Sequence, residues 1–119
     1  MNKSDPLIKV ITNAIQDKKG KKIVWADLTP ITDTICDYFV VAEGSSPSQV
    51  SSVVQEVRDA VKEETGVAPE SIDGLQNSEW VAMDYGHILV HVFLPEQRDF
   101  YNLETLWADA KLTPVPDLE

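Results

Sequence analysis

The sequence WVAMDYGHILVHVF, residues 80–93, decides the fold of this chain. Two runs rich in β-branched and aromatic residues flank Gly86, a pattern that predicts two strands joined in a tight hairpin. In the second run Ile88, Val90 and Val92 share one face, because side chains alternate along a strand. We expect this aliphatic face to lie in the core. The opposite face mixes aromatic and polar residues, which favours a surface that is partly covered or contacts a partner.

The chain before this hairpin predicts a helix followed by two strands. Apolar residues recur at helical spacing after Pro6, a residue that suits the first turn of a helix. Lysines followed by Gly20 predict the end of this helix, with the glycine as its cap. The composition of residues 22–28 and 36–42 predicts two strands, joined by a connector at 31–35.

A second helix is predicted between the second strand and the hairpin. Ser46 and Gln49 have the spacing of a capping box, and Pro47 suits the first helical position. A stripe of valines follows, and Gly66 is expected to end the helix. Residues 67–77 are expected to form a loop.

These elements, with a last short helix predicted after Asn102, indicate the α/β class: a mixed β-sheet packed by helices. The 119 residues are enough for one domain and too few for two. We expect a single domain over residues 1–110 and a mobile acidic tail over 111–119. No apolar run approaches the about 20 residues that span a bilayer, and the N-terminus has no apolar signal-peptide core, so a cytoplasmic location is expected.

Charge is distributed unevenly along the chain, whose net charge is -10. Residues 1–22 contain six lysines and two aspartates, a balance of +4, whereas residues 23–119 contain four basic and eighteen acidic residues, a balance of -14. An acidic body repels phosphate backbones, so we predict no sequence-specific nucleic-acid binding. It favours a basic protein as partner. The alternative that acidity only keeps the protein soluble stays open.

The sequence lacks the patterns of common catalytic and metal sites. The turn at residues 44–46 is similar to the glycine-serine motif of nucleotidyltransferases, where a helix N-terminus holds a nucleotide phosphate. That chemistry needs paired carboxylates for two metal ions, and no Asp-x-Asp or Glu-x-Glu occurs in the chain. His87 and His91 would lie about 13 Å apart on a strand, too far to share a metal ion. Cys36 is the only cysteine, and we predict no metal, no cofactor and no enzymatic activity.

Two long motifs closely resemble the signature of the Iojap family. The first is DYFVVAEGSS at residues 37–46, and the second is the hairpin sequence followed by RDFYNLETLW at 98–107. Their order and spacing match the family over about residues 6–110. Departures are small, such as His87 where an acidic residue is common.

The resemblance implies a nucleotidyltransferase-like fold that has lost its catalytic carboxylates. It also implies binding to large-subunit ribosomal protein fourteen, so that the bound chain obstructs joining of the small subunit and represses translation when nutrients are short. Aromatic residues with an arginine are typical of binding hot spots, although each ring could instead fill the core. We predict an interface formed by ten residues: Trp80, Asp84, Tyr85, His91, Phe93, Arg98, Tyr101, Leu103, Glu104 and Trp107. A degenerate nucleotidyltransferase and a generic adaptor that forms homodimers remain alternatives.

Overall fold

The computed structural model describes residues 6–28, 37–96 and 111–115, with Val115 as the only side chain described in the last stretch. These residues form two helices and six strands: α1 (Pro6–Asp17), β1 (Lys21–Asp27), β2 (Tyr38–Glu43), α2 (Pro47–Thr65), β3 (Ser71–Asp73), β4 (Trp80–Asp84), β5 (Ile88–Phe93) and β6 (Lys111–Val115). No helix in this part of the chain has the length and apolar character that crossing a membrane requires.

All six strands belong to one mixed sheet, in the order β3-β4-β5-β2-β1-β6. The central pair, β2 and β5, is parallel, with Tyr38 opposite Ile88, and the other four pairs are antiparallel. The predicted class, a mixed sheet packed by helices, is confirmed. The hairpin of β4 and β5 lies beside the centre of the sheet, which fits its apolar composition because strands covered on both faces are apolar.

Both helices pack against the same face of the sheet and form the main core with it. Ile11 of α1 and Val53 of α2 are fully buried there. The predicted aliphatic face of β5 points into this core, as Val90 and Val92 are also fully buried. A second buried cluster lies on the opposite face and contains Ala26, Leu28, Phe39, Val41 and Phe93. The sheet is therefore apolar on both sides around its central strands.

The ends of α2 follow the sequence signals. The Ser46 hydroxyl accepts a hydrogen bond from the backbone N–H of Gln49 at 3.1 Å, as an N-cap does. Gly66 has φ of 77° and donates its N–H to the carbonyl of Lys62, which confirms the predicted C-cap. A helix with a valine-rich stripe gains little from intrinsic propensity, so these caps and packing on the sheet hold it.

The end of α1 differs from the prediction in one detail. Lys19, with φ of 63°, takes the left-handed conformation expected of the capping glycine. Gly20 has another role: a Cβ at this position would collide with the Ile15 side chain, and the Gly20 N–H donates to the Ile15 carbonyl at 2.9 Å. Glycine is needed here because the backbone approaches the helix closely.

Two strands occupy regions where the sequence predicts none. Residues 67–77 were expected to be a loop, but Ser71–Asp73 form β3 and pair with β4. The prediction of a mobile tail from residue 111 is wrong for Lys111–Val115. These residues pair with β1 and extend the domain beyond residue 110. β6 is an edge strand, where a proline such as Pro114 is tolerated because one side of the strand needs no sheet hydrogen bond. The predicted connector at 31–35, Cys36 and the helix predicted after Asn102 lie outside the described residues.

Candidate partner-binding face

The hairpin presents a face that points away from both helices. Because side chains alternate, Val81 and Met83 of β4 enter the helix-side core, and their neighbours point the other way. The pairing sets Trp80 opposite Phe93, Ala82 opposite His91 and Asp84 opposite Leu89. We call this surface the ring face and define its members as Trp80, Asp84, Leu89, His91 and Phe93.

Three aromatic side chains form a contiguous group on the ring face. The Trp80 and Phe93 rings stack with centroids 5.3 Å apart and an interplanar angle of 21°. His91 lies 5.9 Å from Phe93 and 6.0 Å from Trp80, again between ring centroids. Phe93 is fully buried and His91 is 8% exposed, whereas Trp80 is half-buried. Trp80 is therefore the ring of this group that reaches the surface.

A hydrogen bond fixes the state of the histidine in this group. The Trp80 indole Nε1–H donates to Nδ1 of His91 at 3.1 Å, so the imidazole is neutral and carries its proton on Nε2. Burial lowers the pKa of His91 from 6.5 to about 4, because the charged form loses its hydration. The hydrogen bond to the buried His91 fixes the orientation of the Trp80 indole ring, whose remaining part is exposed to solvent.

Asp84 shapes the turn of the hairpin. Its Oδ1 accepts a hydrogen bond from the Gly86 N–H at 2.7 Å, and the Tyr85 N–H donates to the Ile88 carbonyl at 2.9 Å. Gly86 has φ of 89°, a conformation that glycine adopts without strain. Asp84 is half-buried, so its carboxylate both holds the turn and faces solvent at the end of the ring face.

Tyr85 does not belong to the ring face, in contrast to its predicted place in the interface. It is 5% exposed and packs in the helix-side core. Its hydroxyl has no hydrogen-bond partner among the described residues. Burial raises the pKa of Tyr85 to about 12, with a smaller opposing effect from the positive charge of Arg58. Side chains alternate between the two faces along β4 and the residue after it, so Tyr85 points to the same side as Val81 and Met83 and away from the ring face.

The structure brings together four of the ten predicted interface residues, namely Trp80, Asp84, His91 and Phe93. The five predicted in the downstream motif lie outside the described residues: Arg98, Tyr101, Leu103, Glu104 and Trp107. Leu89 was not predicted, but it is half-buried on the same face. The period-two pattern of β5, which groups Leu89 with His91 and Phe93, is the signal that identifies it.

The glycine-serine turn is occupied by a side chain of the protein itself. Oε1 of Gln49 accepts hydrogen bonds from the backbone N–H of Ser45 at 2.6 Å and from its hydroxyl at 2.7 Å. These are the groups that would bind a phosphate at a helix N-terminus. Within residues 6–28, 37–96 and 111–115, no three histidine, cysteine or acidic side chains are grouped so that they could hold a metal ion.

Comparison with known proteins agrees with this architecture. A ribosomal silencing factor of Bacillus subtilis is 34% identical over 113 residues, which are 95% of this chain and 92% of that protein. The chloroplastic protein Iojap of Zea mays is 36% identical over 78 residues, which are 66% of this chain and 32% of that protein. A crystal structure of a Chromobacterium violaceum protein superposes with a TM-score of 0.81 at 36% identity and covers 86% of this chain and 83% of that one.

The family-level match extends over the whole chain. The profile of the family described as "Ribosomal silencing factor during starvation" matches residues 1–119. The resemblance to the Iojap family that the two sequence motifs indicate is thereby confirmed, together with the α/β fold. This chain belongs to the family of ribosomal silencing factors.

Proposed function

We propose that this protein binds large-subunit ribosomal protein fourteen through the ring face and thereby hinders joining of the small subunit. The observation that carries the proposal is the match of residues 1–119 to a family of ribosomal silencing factors. Steric occupation needs no catalysis, and one interface of about 800 Å² per partner is enough for stable binding. The role is regulatory, and it is exercised in the cytoplasm, where ribosomes are.

The ring face has the physical features of a binding surface. Trp80 offers a large apolar ring that His91 and Phe93 hold in place, so little side-chain entropy is lost when a partner covers it. Asp84 adds a carboxylate that the turn already orients. With a net charge of -10, the protein is attracted to basic partners, and the attraction accelerates their encounter at low salt.

A retained nucleotidyl-transfer activity is less consistent with the geometry. The backbone and hydroxyl donors of Ser45 are both bonded to Gln49, so a nucleotide phosphate would have to displace that side chain. Calorimetric titration with magnesium and each nucleoside triphosphate tests this alternative directly. A binding isotherm that Ser45→Ala weakens would support it.

The proposed function is tested by reversing the charge at Asp84. Asp84→Arg is expected to weaken binding to purified protein fourteen and to purified large subunits at least about tenfold, which corresponds to 1.4 kcal/mol. Glu63→Arg is the matched control, because Glu63 is exposed on α2 and the change in net charge is the same. Asp84→Asn keeps a side-chain oxygen that can accept from Gly86 and separates loss of charge from loss of the turn.

Pull-down with protein fourteen and light scattering of mixed subunits give independent readouts. The wild-type protein and Glu63→Arg are expected to reduce subunit joining, whereas Asp84→Arg is expected to permit it. Circular dichroism and urea unfolding confirm that each variant is folded. If Asp84→Arg binds as tightly as the control, the ring face is not the interface.

A further inference from the structure

A groove lies between α1 and α2 on the solvent side of the two helices. Its volume is about 490 Å³, and Val10, Ala14 and Ala60 form an apolar floor. Val10 and Ala60 are half-buried, and both pack on the helix-side core. We call this space the helix groove. Its residues recur at intervals of four along each helix, so the groove follows the side-chain ridges of α1 and α2.

The rim of the helix groove is acidic. Four carboxylates, those of Asp17, Glu56, Glu63 and Glu64, line it together with one ammonium group, that of Lys9. Within the described part of the chain, the four carboxylates have no hydrogen bond or ion pair, so they are available to a ligand. An excess of negative charge around an apolar floor is complementary to a ligand that is both cationic and apolar.

Three of these carboxylates lie where a negative charge is unfavourable for the helix that carries it. Asp17 is the last residue of α1, and Glu63 and Glu64 belong to the last turn of α2. The helix dipole is negative at both ends and favours lysine or arginine there, so these carboxylates make the free helices less stable. A cationic ligand in the helix groove would remove this unfavourable interaction. Binding therefore explains the position of the carboxylates better than folding does.

The shape of the helix groove fits a third helix. Two helices packed side by side leave a groove that accepts the side-chain ridge of another helix. The helix groove extends along α1 from Pro6 to Asp17, a length of about 17 Å, which three turns of a helix would fill. An extended peptide is less suited, because the backbone groups of α1 and α2 are bonded within the helices and offer no edge for a strand.

Other classes of ligand fit the helix groove less well. Nucleic acids and anionic membranes carry the same sign of charge as its rim. A metal ion needs several ligands in one place, and the described residues contain no group of three histidine, cysteine or acidic side chains that could hold one. A second copy of this chain has a net charge of -10, so its approach to the rim is opposed at low salt.

We infer that the helix groove binds a cationic amphipathic helix of a protein partner. Aliphatic side chains of that helix enter the groove, and lysines or arginines beside them meet the carboxylates of the rim. The inference goes beyond the proposed function, because the helix groove and the ring face lie on opposite sides of the sheet. Both surfaces can be occupied at once, so the protein can join the partner of its ring face to a second protein.

The test is a fluorescence anisotropy titration of a labelled peptide with the full-length protein. The peptide has about 16 residues, with leucine and alanine on one ridge and lysines beside them, and a covalent staple because an isolated helix of this length is marginal in water. Saturable binding is expected, with an about tenfold loss of affinity between about 0.1 M and 1 M KCl, as the Debye length falls from about 10 Å to 3 Å. A peptide of equal charge with serine in place of leucine is expected to bind at least about tenfold more weakly, because it does not cover the apolar floor.

Charge variants of the protein locate the binding site. Glu63→Arg is expected to weaken binding of the leucine peptide about tenfold, whereas Asp73→Arg, an equal change of charge at an exposed position of β3, is expected to weaken it less than about twofold. Glu63→Gln with Glu64→Gln is expected to weaken binding about fivefold and to maintain or raise the urea midpoint, because it removes two charges that the helix dipole opposes. A loss of binding in this double variant is therefore not a loss of folding.

Several outcomes would overturn the inference. They are absence of saturable binding by the wild-type protein, equal affinity for the leucine and serine peptides, and equal weakening by Glu63→Arg and Asp73→Arg. Sedimentation at several protein concentrations tests the second copy as occupant, and self-association that Glu63→Arg removes would also overturn the inference. Failure here is distinct from failure of the proposed function: Glu63→Arg is expected to retain protein fourteen, and Asp84→Arg is expected to retain the peptide.

Discussion

Mild acid is expected to destabilise this protein through His91. The neutral imidazole accepts the indole hydrogen bond of Trp80 at Nδ1, and only 8% of the residue is exposed. Protonation would place a second N–H at the acceptor position and a charge in an apolar site, so the folded state resists it. The unfolded chain has no such restriction and takes up the proton near pH 6.5.

The magnitude follows from the two pKa values of His91. The folded value is about 4 and the ordinary value is 6.5, and each pKa unit corresponds to about 1.36 kcal/mol. The stabilisation is complete above pH 6.5 and is lost progressively as the pH falls from 6.5 towards 4, because in this range the unfolded state binds more protons. The total loss is about 3 kcal/mol, of which about 2 kcal/mol is reached at pH 5.

Urea unfolding at pH 8 and pH 5, followed by tryptophan fluorescence, measures this loss. His91→Gln is the informative variant, because its amide oxygen can still accept from Trp80 but the side chain does not titrate. Carboxylates contribute equally in both proteins, so the wild-type protein should lose about 2 kcal/mol more than the variant between the two pH values. Equal losses in wild type and His91→Gln would refute the reasoning.

Two further changes test the packing around the core. Tyr85→Phe removes a buried hydroxyl that has no hydrogen-bond partner among the described residues. The free energy of unfolding, measured by urea titration, should therefore stay unchanged or rise by about 1 kcal/mol. A clear decrease would mean that the hydroxyl is hydrogen-bonded. Gly20→Ala places a methyl group against the buried Ile15 side chain and should lower the free energy of unfolding by about 1–3 kcal/mol. An unchanged urea midpoint for Gly20→Ala would contradict the observed close approach.

Local patterns in the sequence were sufficient for the elements whose cause is local. The capping signals at Ser46 and Gly66 act within a single helical turn, and the structure contains both. The hairpin at Gly86 depends on a tight turn between two apolar runs, and the alternation of β5 predicts which side chains enter the core. The family motifs carried the functional interpretation, since neither composition nor spacing distinguishes a ribosome-binding face from a core.

Long-range pairing decided the remainder. The sequence of residues 111–115 contains no local pattern that predicts a strand. β6 forms because the edge of β1, which is distant in the chain, offers backbone hydrogen-bonding groups to it. β3, at the other edge of the sheet, likewise forms by pairing with β4. The Gln49 side chain does not bond the backbone N–H of Ser46, as it would in a capping box, but donates to the Lys18 carbonyl and so connects α2 to the end of α1. Tyr85 illustrates the point for the interface: its residue type suits a binding surface, but the direction of its side chain is set by its place in the sheet. The sequence by itself determines local backbone conformations and the apolar faces of single helices and strands. Tertiary structure determines which strand edges pair and which faces are buried, because these contacts join residues that are distant in the chain.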